Sequence, residues 1–410
     1  MSLFPFSGDM PPCHHSEMAF ISNGLLLWLV QLTTASQTAN LAILWRRENG
    51  GLDASWDAVS CAAVLAVNHF NARDGSVVPE FERVPEGLQL HGMYYDAWST
   101  ASKAIIAYRN AVADGANAIV GPSRSAQVLI VSQLAAIDQV LIISPWASAS
   151  RLSVTSTHPY FARTWPSDAL VAAEAMRTIT EFGWRNLGYV GVADAYSDGY
   201  KDTMRAWSVN NPGKAVITSV QTFPYNDPIA ARESVRLLKG LGTKVNILLV
   251  FDADVYAVMS AAEEFGMLTD DYIWISSETT SGGSTQASYI PASGDPALLA
   301  GWLQGMIRLS FSPEGEKSPG YQRLAALWST MTPSDCAFSS SDNTHFVPKQ
   351  TTFDQAPWDV APTMYDAVAA SALALAATAN WTIGAQARQG GPTSLHAHPS
   401  QHSKPAPLPM

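Results

Sequence analysis

Four stretches between Ala118 and Gly199 decide the fold. They read A-I-V-G-P-S-R-S-A-Q (118–127), V-L-I-I-S-P-W-A-S-A-S-R-L-S (140–153), Y-F-A-R-T-W-P-S-D (160–168) and E-F-G-W-R-N-L-G-Y-V-G-V-A-D-A-Y-S-D-G (181–199). Each contains a short apolar run, passes at once into Gly, Pro or hydroxylated residues, and then takes up a helical pattern. In a parallel α/β sheet, ligands bind just beyond the carboxyl ends of the strands. The Ser, Asp and Tyr residues that follow these runs therefore fall where a small polar molecule would sit.

The same alternation extends in both directions. Upstream, strand Leu41–Trp45, helix Ser55–Asn71, strand Leu88–Tyr95 and helix Thr100–Asp114 precede strand Ala118–Val120. Helix Ala126–Asp138 and strand Val140–Ser144 follow it. Val59, Ala63, Ala66, Val67 and Phe70 make one stripe of the first helix, the spacing of a helix lying on a sheet. After a crossing at Tyr160–Asp168 a second series begins with helix Asp168–Phe182, strand Leu187–Val192 and a helix near Asp198–Val209. Strand Ala215–Thr222, helix Pro228–Leu241, strand Asn246–Phe251, helix Val255–Phe265 and strand Tyr272–Ser276 continue it. Gly301–Phe311 reads as a return crossing, followed by helices Tyr321–Met331 and Thr363–Ala379 around a long polar loop, Thr332–Pro362. Repeated strand-then-helix order with apolar strands predicts doubly wound, mostly parallel sheets.

With 410 residues the chain exceeds the size at which one core stops growing, so two lobes are expected. A hydrophobic content of 47% and a charged content of 14% describe a globular chain. The net charge of −11, with only eight lysines, leaves no basic stripe for phosphate contacts, which argues against nucleic-acid binding. Phe20–Leu32 is a short apolar core followed by Thr34-Ala35-Ser36, the pattern of an export signal with a cleavage site. No Lys or Arg precedes Arg46, so the positive start of such a signal is missing; either Met18 is the true start or this segment is a buried first helix. The expected organisation is a signal region over 1–38, a first lobe over 39–162, a second over 163–310, a return to the first over 311–382, and a disordered tail over 383–410. Cys61 reads as a small buried residue that pairs with Cys336 only if the geometry permits, because spacing alone cannot fix connectivity. Asn380-Trp381-Thr382 is a glycosylation sequon.

The order and spacing of the quoted stretches resemble the receptor family ligand-binding region, the type I periplasmic-binding-protein fold. That fold is shared by bacterial leucine-type amino-acid binders, natriuretic-peptide receptors and the ectodomains of class C G-protein-coupled receptors. The resemblance spans about Ala39 to Asn380 and implies a two-lobed α/β fold, each lobe a doubly wound sheet flanked by helices. The strands that relatives carry after the last helix have no counterpart here. It also implies a non-catalytic receptor ectodomain, on the extracellular face of a membrane or secreted, that closes on an amino-acid-like ligand. Dimers would form through the first lobe, homo- or heteromeric, and membrane attachment would come through segments absent from this chain. No cofactor and no metal are implied.

Carried over residue by residue, the resemblance makes Ser125 the carboxylate-binding serine; its other reading is a helix N-cap worth about 1 kcal/mol. Ser148 matches the hydroxyl residue that contacts both ends of a zwitterion, or else belongs to a turn. Asp168 matches an amine-side acid, although P-S-D also suits an N-cap. Tyr196 matches the cleft tyrosine whose ring takes an ammonium. Glu278 matches the acid that pairs with the amine. Trp56, Val59 and Trp146 are possible pocket walls, and Val59 stands where glutamate receptors place an arginine, which disfavours glutamate.

Two other readings stay open. A soluble solute-binding protein for amino acids shares the fold and chemistry. A nucleotide-sugar glycosyltransferase would use Asp252 and Asp254, which imitate a D-x-D metal site at a strand end. The chain contains no G-x-S-x-G, H-E-x-x-H or Walker sequence.

Overall fold

The computed structural model describes residues 37–45, 54–97, 100–277, 290–291, 293–309, 318–339, 345–346, 353 and 360–389. Residues 1–36 of the expected signal region, Glu278, and the side chains of Trp56 and Asp252 lie outside the described residues.

The first lobe is a five-stranded parallel sheet in the order β2-β1-β3-β4-β5. Its strands are β1 (Gln37–Trp45), β2 (Leu88–Asp96), β3 (Ala118–Val120), β4 (Leu141–Ser144) and β5 (Phe161–Arg163). Helices α1 (Ala54–Ala72), α2 (Ala101–Ala113) and α3 (Ser125–Asp138) connect successive strands. The stripe read on α1 is buried: Val59, Ala63, Ala66 and Phe70 are fully enclosed. Strand β1 begins four residues earlier than its apolar run because polar Gln37 to Asn40 pair with Leu88 to His91 of β2.

After a crossing at Thr164–Ser167 the second lobe repeats the plan. Its parallel sheet runs β10-β9-β8-β6-β7, the same winding order as the first lobe's when its strands are counted from β6. The elements are α4 (Asp168–Glu181), β6 (Asn186–Val192), α5 (Ala195–Asn210), β7 (Val216–Phe223), α6 (Pro228–Gly240), β8 (Val245–Leu249), α7 (Asp252–Glu264) and β9 (Ile273–Ser276). The expected return crossing resolves into α8 (Pro296–Trp302) and β10 (Ile307–Arg308), which pairs parallel to β9 as the fifth strand.

The chain then returns to the first lobe with α9 (Pro319–Trp328) and α10 (Val360–Gln389). Trp328, Met364, Tyr365 and Val368 join the cluster formed by α1. Within α10, Val360–Thr378 is long and apolar enough to cross a membrane, yet Val360, Ala361, Met364, Ala367 and Ala372 are buried in this cluster. Cys61 and Cys336 form a disulfide, their Cα atoms 4.7 Å apart and both fully buried. Two expectations need correction. The polar loop after Trp328 contains a 3-10 turn at Pro333–Cys336, and Phe338–Ser339 (β11) pairs antiparallel with His345–Phe346 (β12). Helix α10 continues through 383–389, because Ala, Gln and Arg there are good helix formers, so that part of the expected tail is helical and the sequon at Asn380 lies in a helix.

Candidate functional site

The carboxyl ends of the two sheets meet. Directly after β3, Gly121 takes φ +91°, and a Cβ on it would collide with the carbonyl of Leu44, where β1 ends. This tight exit delivers Arg124 to the N-cap of α3 and Ser125 to its first turn. Ser125 is therefore not the cap of its own helix. Its hydroxyl instead accepts from the backbone N–H groups of Ser148 (3.2 Å) and Ala149 (3.1 Å) in the loop after β4.

Arg163, at the end of β5, holds the other side of that loop. One guanidinium nitrogen donates to the carbonyls of Ser148 and Ala149, each at 3.0 Å. Burial lowers the Arg163 pKa and neighbouring Asp168 raises it. The Asp168 backbone N–H donates to the Ser148 carbonyl at 2.9 Å, which ties the start of α4 to the same loop. Asp168 is fully buried and occupies the first helical position, one residue beyond the real cap, Ser167, whose hydroxyl accepts from Ala169. Gly199 on α5 passes close by: a Cβ there would contact an Asp168 carboxylate oxygen and the Ser150 backbone. Ser125, Ser148 and Asp168 are thus gathered around one loop.

Tyr196 belongs to the second lobe's part of the site. It is 4% exposed, and its hydroxyl lies 2.5 Å from that of Ser277, at the end of β9. Its ring packs edge-on to Tyr200 and tilted against Phe251. The proposed wall residues divide. Trp146 is half-buried and packs edge-on against Trp165. Val59 is fully buried inside the first lobe's core, held there by the α1–α10 contact, and so is no pocket wall. Asp254, from the D-x-D reading, is 2% exposed and accepts from the Asn226 backbone at 2.8 Å.

Sequence reading missed Arg124. It reaches from the first lobe to within 3.6 Å of Asp194, the N-cap of α5 in the second. Its guanidinium carbon lies 4.5 Å from the ring centre of Tyr225 and 4.3 Å from that of Phe251. Burial raises the Asp194 pKa, and Arg124 opposes that shift. Arg124, Asp194, Tyr225 and Phe251 all follow strand ends, which was the available signal. Their meeting is long-range and has no local pattern.

Residues 58–403 match the receptor family ligand binding region. Glutamate receptor 2.1 of Arabidopsis thaliana is 27% identical over 168 residues, covering 40% of this chain and 18% of that protein. Metabotropic glutamate receptor-like protein E of Dictyostelium discoideum is 26% identical over 165 residues, covering 39% and 20%. Glutamate receptor 2.4 of Arabidopsis thaliana is 29% identical over 164 residues, covering 38% and 17%. The chain spans at most a fifth of the length of these curated relatives.

Proposed function

This chain belongs to the family of receptor ligand-binding regions, and from that premise we propose that it is the extracellular ligand-binding region of a membrane receptor, closing without chemistry on a small amino-acid-like ligand. The observation that supports this reading is the meeting of the two sheets' carboxyl ends, where the Ser148 carbonyl, in a loop tied to Ser125, accepts from the Asp168 backbone and Arg124 reaches Asp194, the N-cap of the helix that carries Tyr196. Serine hydroxyls beside the start of α3 suit a carboxylate, since a helix N-terminus favours an anion. The Tyr196 ring and Asp168, with Glu278 two residues past β9, suit an ammonium. A zwitterion held from both sides links the lobes.

The energies suffice. Hydrogen bonds to charged groups contribute about 1.5–3 kcal/mol each. Shifting a cleft from 1:99 to 99:1 closed takes about 5.5 kcal/mol of differential binding. Two or three contacts made only in the closed form supply that. A dimer through the first lobe belongs to the same proposal.

Calorimetric titration of the purified chain with leucine, GABA and glutamate tests the reading. Saturable binding of one of them is expected, weakened about tenfold by Ser148→Ala or Tyr196→Ala. Absence of binding by all three, or an affinity in both variants equal to that of the wild-type chain, overturns it.

A further inference from the structure

The contact between Arg124 and the second lobe is more elaborate than an ion pair. The Arg124 and Asp194 side chains are only 12% and 13% exposed. Charges this enclosed require partners, and among the described residues the guanidinium has three: the Asp194 carboxylate and the faces or edges of two aromatic rings. What matters is how those partners are held. Asp194 keeps one carboxylate oxygen on the backbone N–H groups of Tyr196 (3.0 Å) and Ser197 (3.2 Å), while its other oxygen is the one near Arg124. Tyr225 packs edge-on against Phe251, and Phe251 packs against Tyr196, each with ring centres 5.5 Å apart. Acid and rings are therefore positioned by the second lobe's own contacts, and the arginine enters from outside.

We propose that Asp194, Tyr225 and Phe251 form a receptacle for a planar guanidinium-type cation, filled in this structure by Arg124 of the first lobe and open to a free guanidinium compound once that arginine is withdrawn. A guanidinium suits it better than an ammonium, because a flat delocalised cation stacks on rings while its edge donates to the carboxylate. The filled receptacle is also a tether between the lobes, so its occupancy biases closure. This inference is independent of the amino-acid reading, since its probe carries no carboxylate.

The test uses ethylguanidinium, with ethylammonium and neutral ethylurea as controls, titrated into the whole chain by calorimetry. Arg124→Gln is expected to bind ethylguanidinium saturably at one site. Ethylammonium should bind it more weakly and ethylurea not at all. Adding Asp194→Asn, which retains a capping side chain, should weaken that binding about tenfold. Phe251→Leu should weaken it as well. No saturable binding by Arg124→Gln, or binding indifferent to both second substitutions, overturns the proposal. Should Arg124→Gln fail to fold, the wild-type chain decides by small-angle scattering. Ethylguanidinium chloride at tens of millimolar should enlarge its radius of gyration, while sodium chloride of equal ionic strength should do so less. Identical responses to the two salts overturn it.

Discussion

The two lobes share a winding order and differ in how each is completed. The second is made from one continuous run of chain, and its core divides into two clusters that share Phe251 at their margins. The first remains open on one side until α9 and α10 arrive from far along the sequence to cover α1. Its hold on that returning segment is specific. Cys61 bonds to Cys336, the His69 ring lies 2.8 Å from the Tyr365 hydroxyl, and Thr164 donates to the carbonyl of Thr363. The second lobe's contacts span shorter stretches of chain, among them the Tyr196–Ser277 hydroxyl pair and the surface ion pairs Arg232–Glu264 and Arg236–Glu233. One sheet topology thus stands on long-range locks in one lobe and on local order in the other.

The largest effect that would sharpen this contrast comes from breaking the Cys61–Cys336 bond. It closes a span of 275 residues, for which the chain-entropy argument gives about 5.6 kcal/mol. Reduction, or Cys61→Ser with Cys336→Ser, should speed hydrogen exchange in α1 and β1 while leaving β6 and β8 protected. Equal loss of protection in both lobes would break the comparison.

Acid should also act on the first lobe. Burial lowers the pKa of His69 and of His158, whose ring nitrogen lies 2.8 Å from the Ser132 hydroxyl. The unfolded chain then binds more protons than the folded one below the ordinary histidine pKa of 6.5, so stability is whole above that value and is lost as pH falls from it toward the lowered folded values. Thermal melts between pH 7.5 and 5.5 should show this decline, and His69→Gln should flatten it. An unchanged slope in that variant would count against the assignment.

The smallest effect belongs to the second lobe's surface. Arg232 and Glu264 are about half exposed, and such pairs contribute little because water and salt screen them. Glu264→Gln should move the melting temperature by no more than about 1 °C. A large drop would show that the second lobe depends on its charges after all.

Much of the fold was legible because apolar runs and their stops are local. Strand Ala118–Val120 falls where its three apolar residues put it, and Gly115 and Gly183 adopt positive φ just past the ends of α2 and α4. Boundaries failed where two residues of one type stood together. Ser167 and Asp168 both suit an N-cap, and only the backbone chooses Ser167. Ser125 spends its hydroxyl on a loop twenty-three residues away, which no helix-capping rule anticipates. The disulfide and the Arg124 contact were illegible for a related reason. Each joins residues that share no local pattern, and composition is silent about such meetings.

The lateness of α10 has a consequence for synthesis. Tyr365 follows its hydrogen-bond partner His69 by 296 residues, about 15–60 s of translation at 5–20 residues per second. Through that interval the apolar face of α1 is without the helix that covers it, while the whole second lobe has emerged and can fold. A nascent chain of this kind would spend that interval with its middle settled and its beginning still sticky, a standing invitation to chaperones.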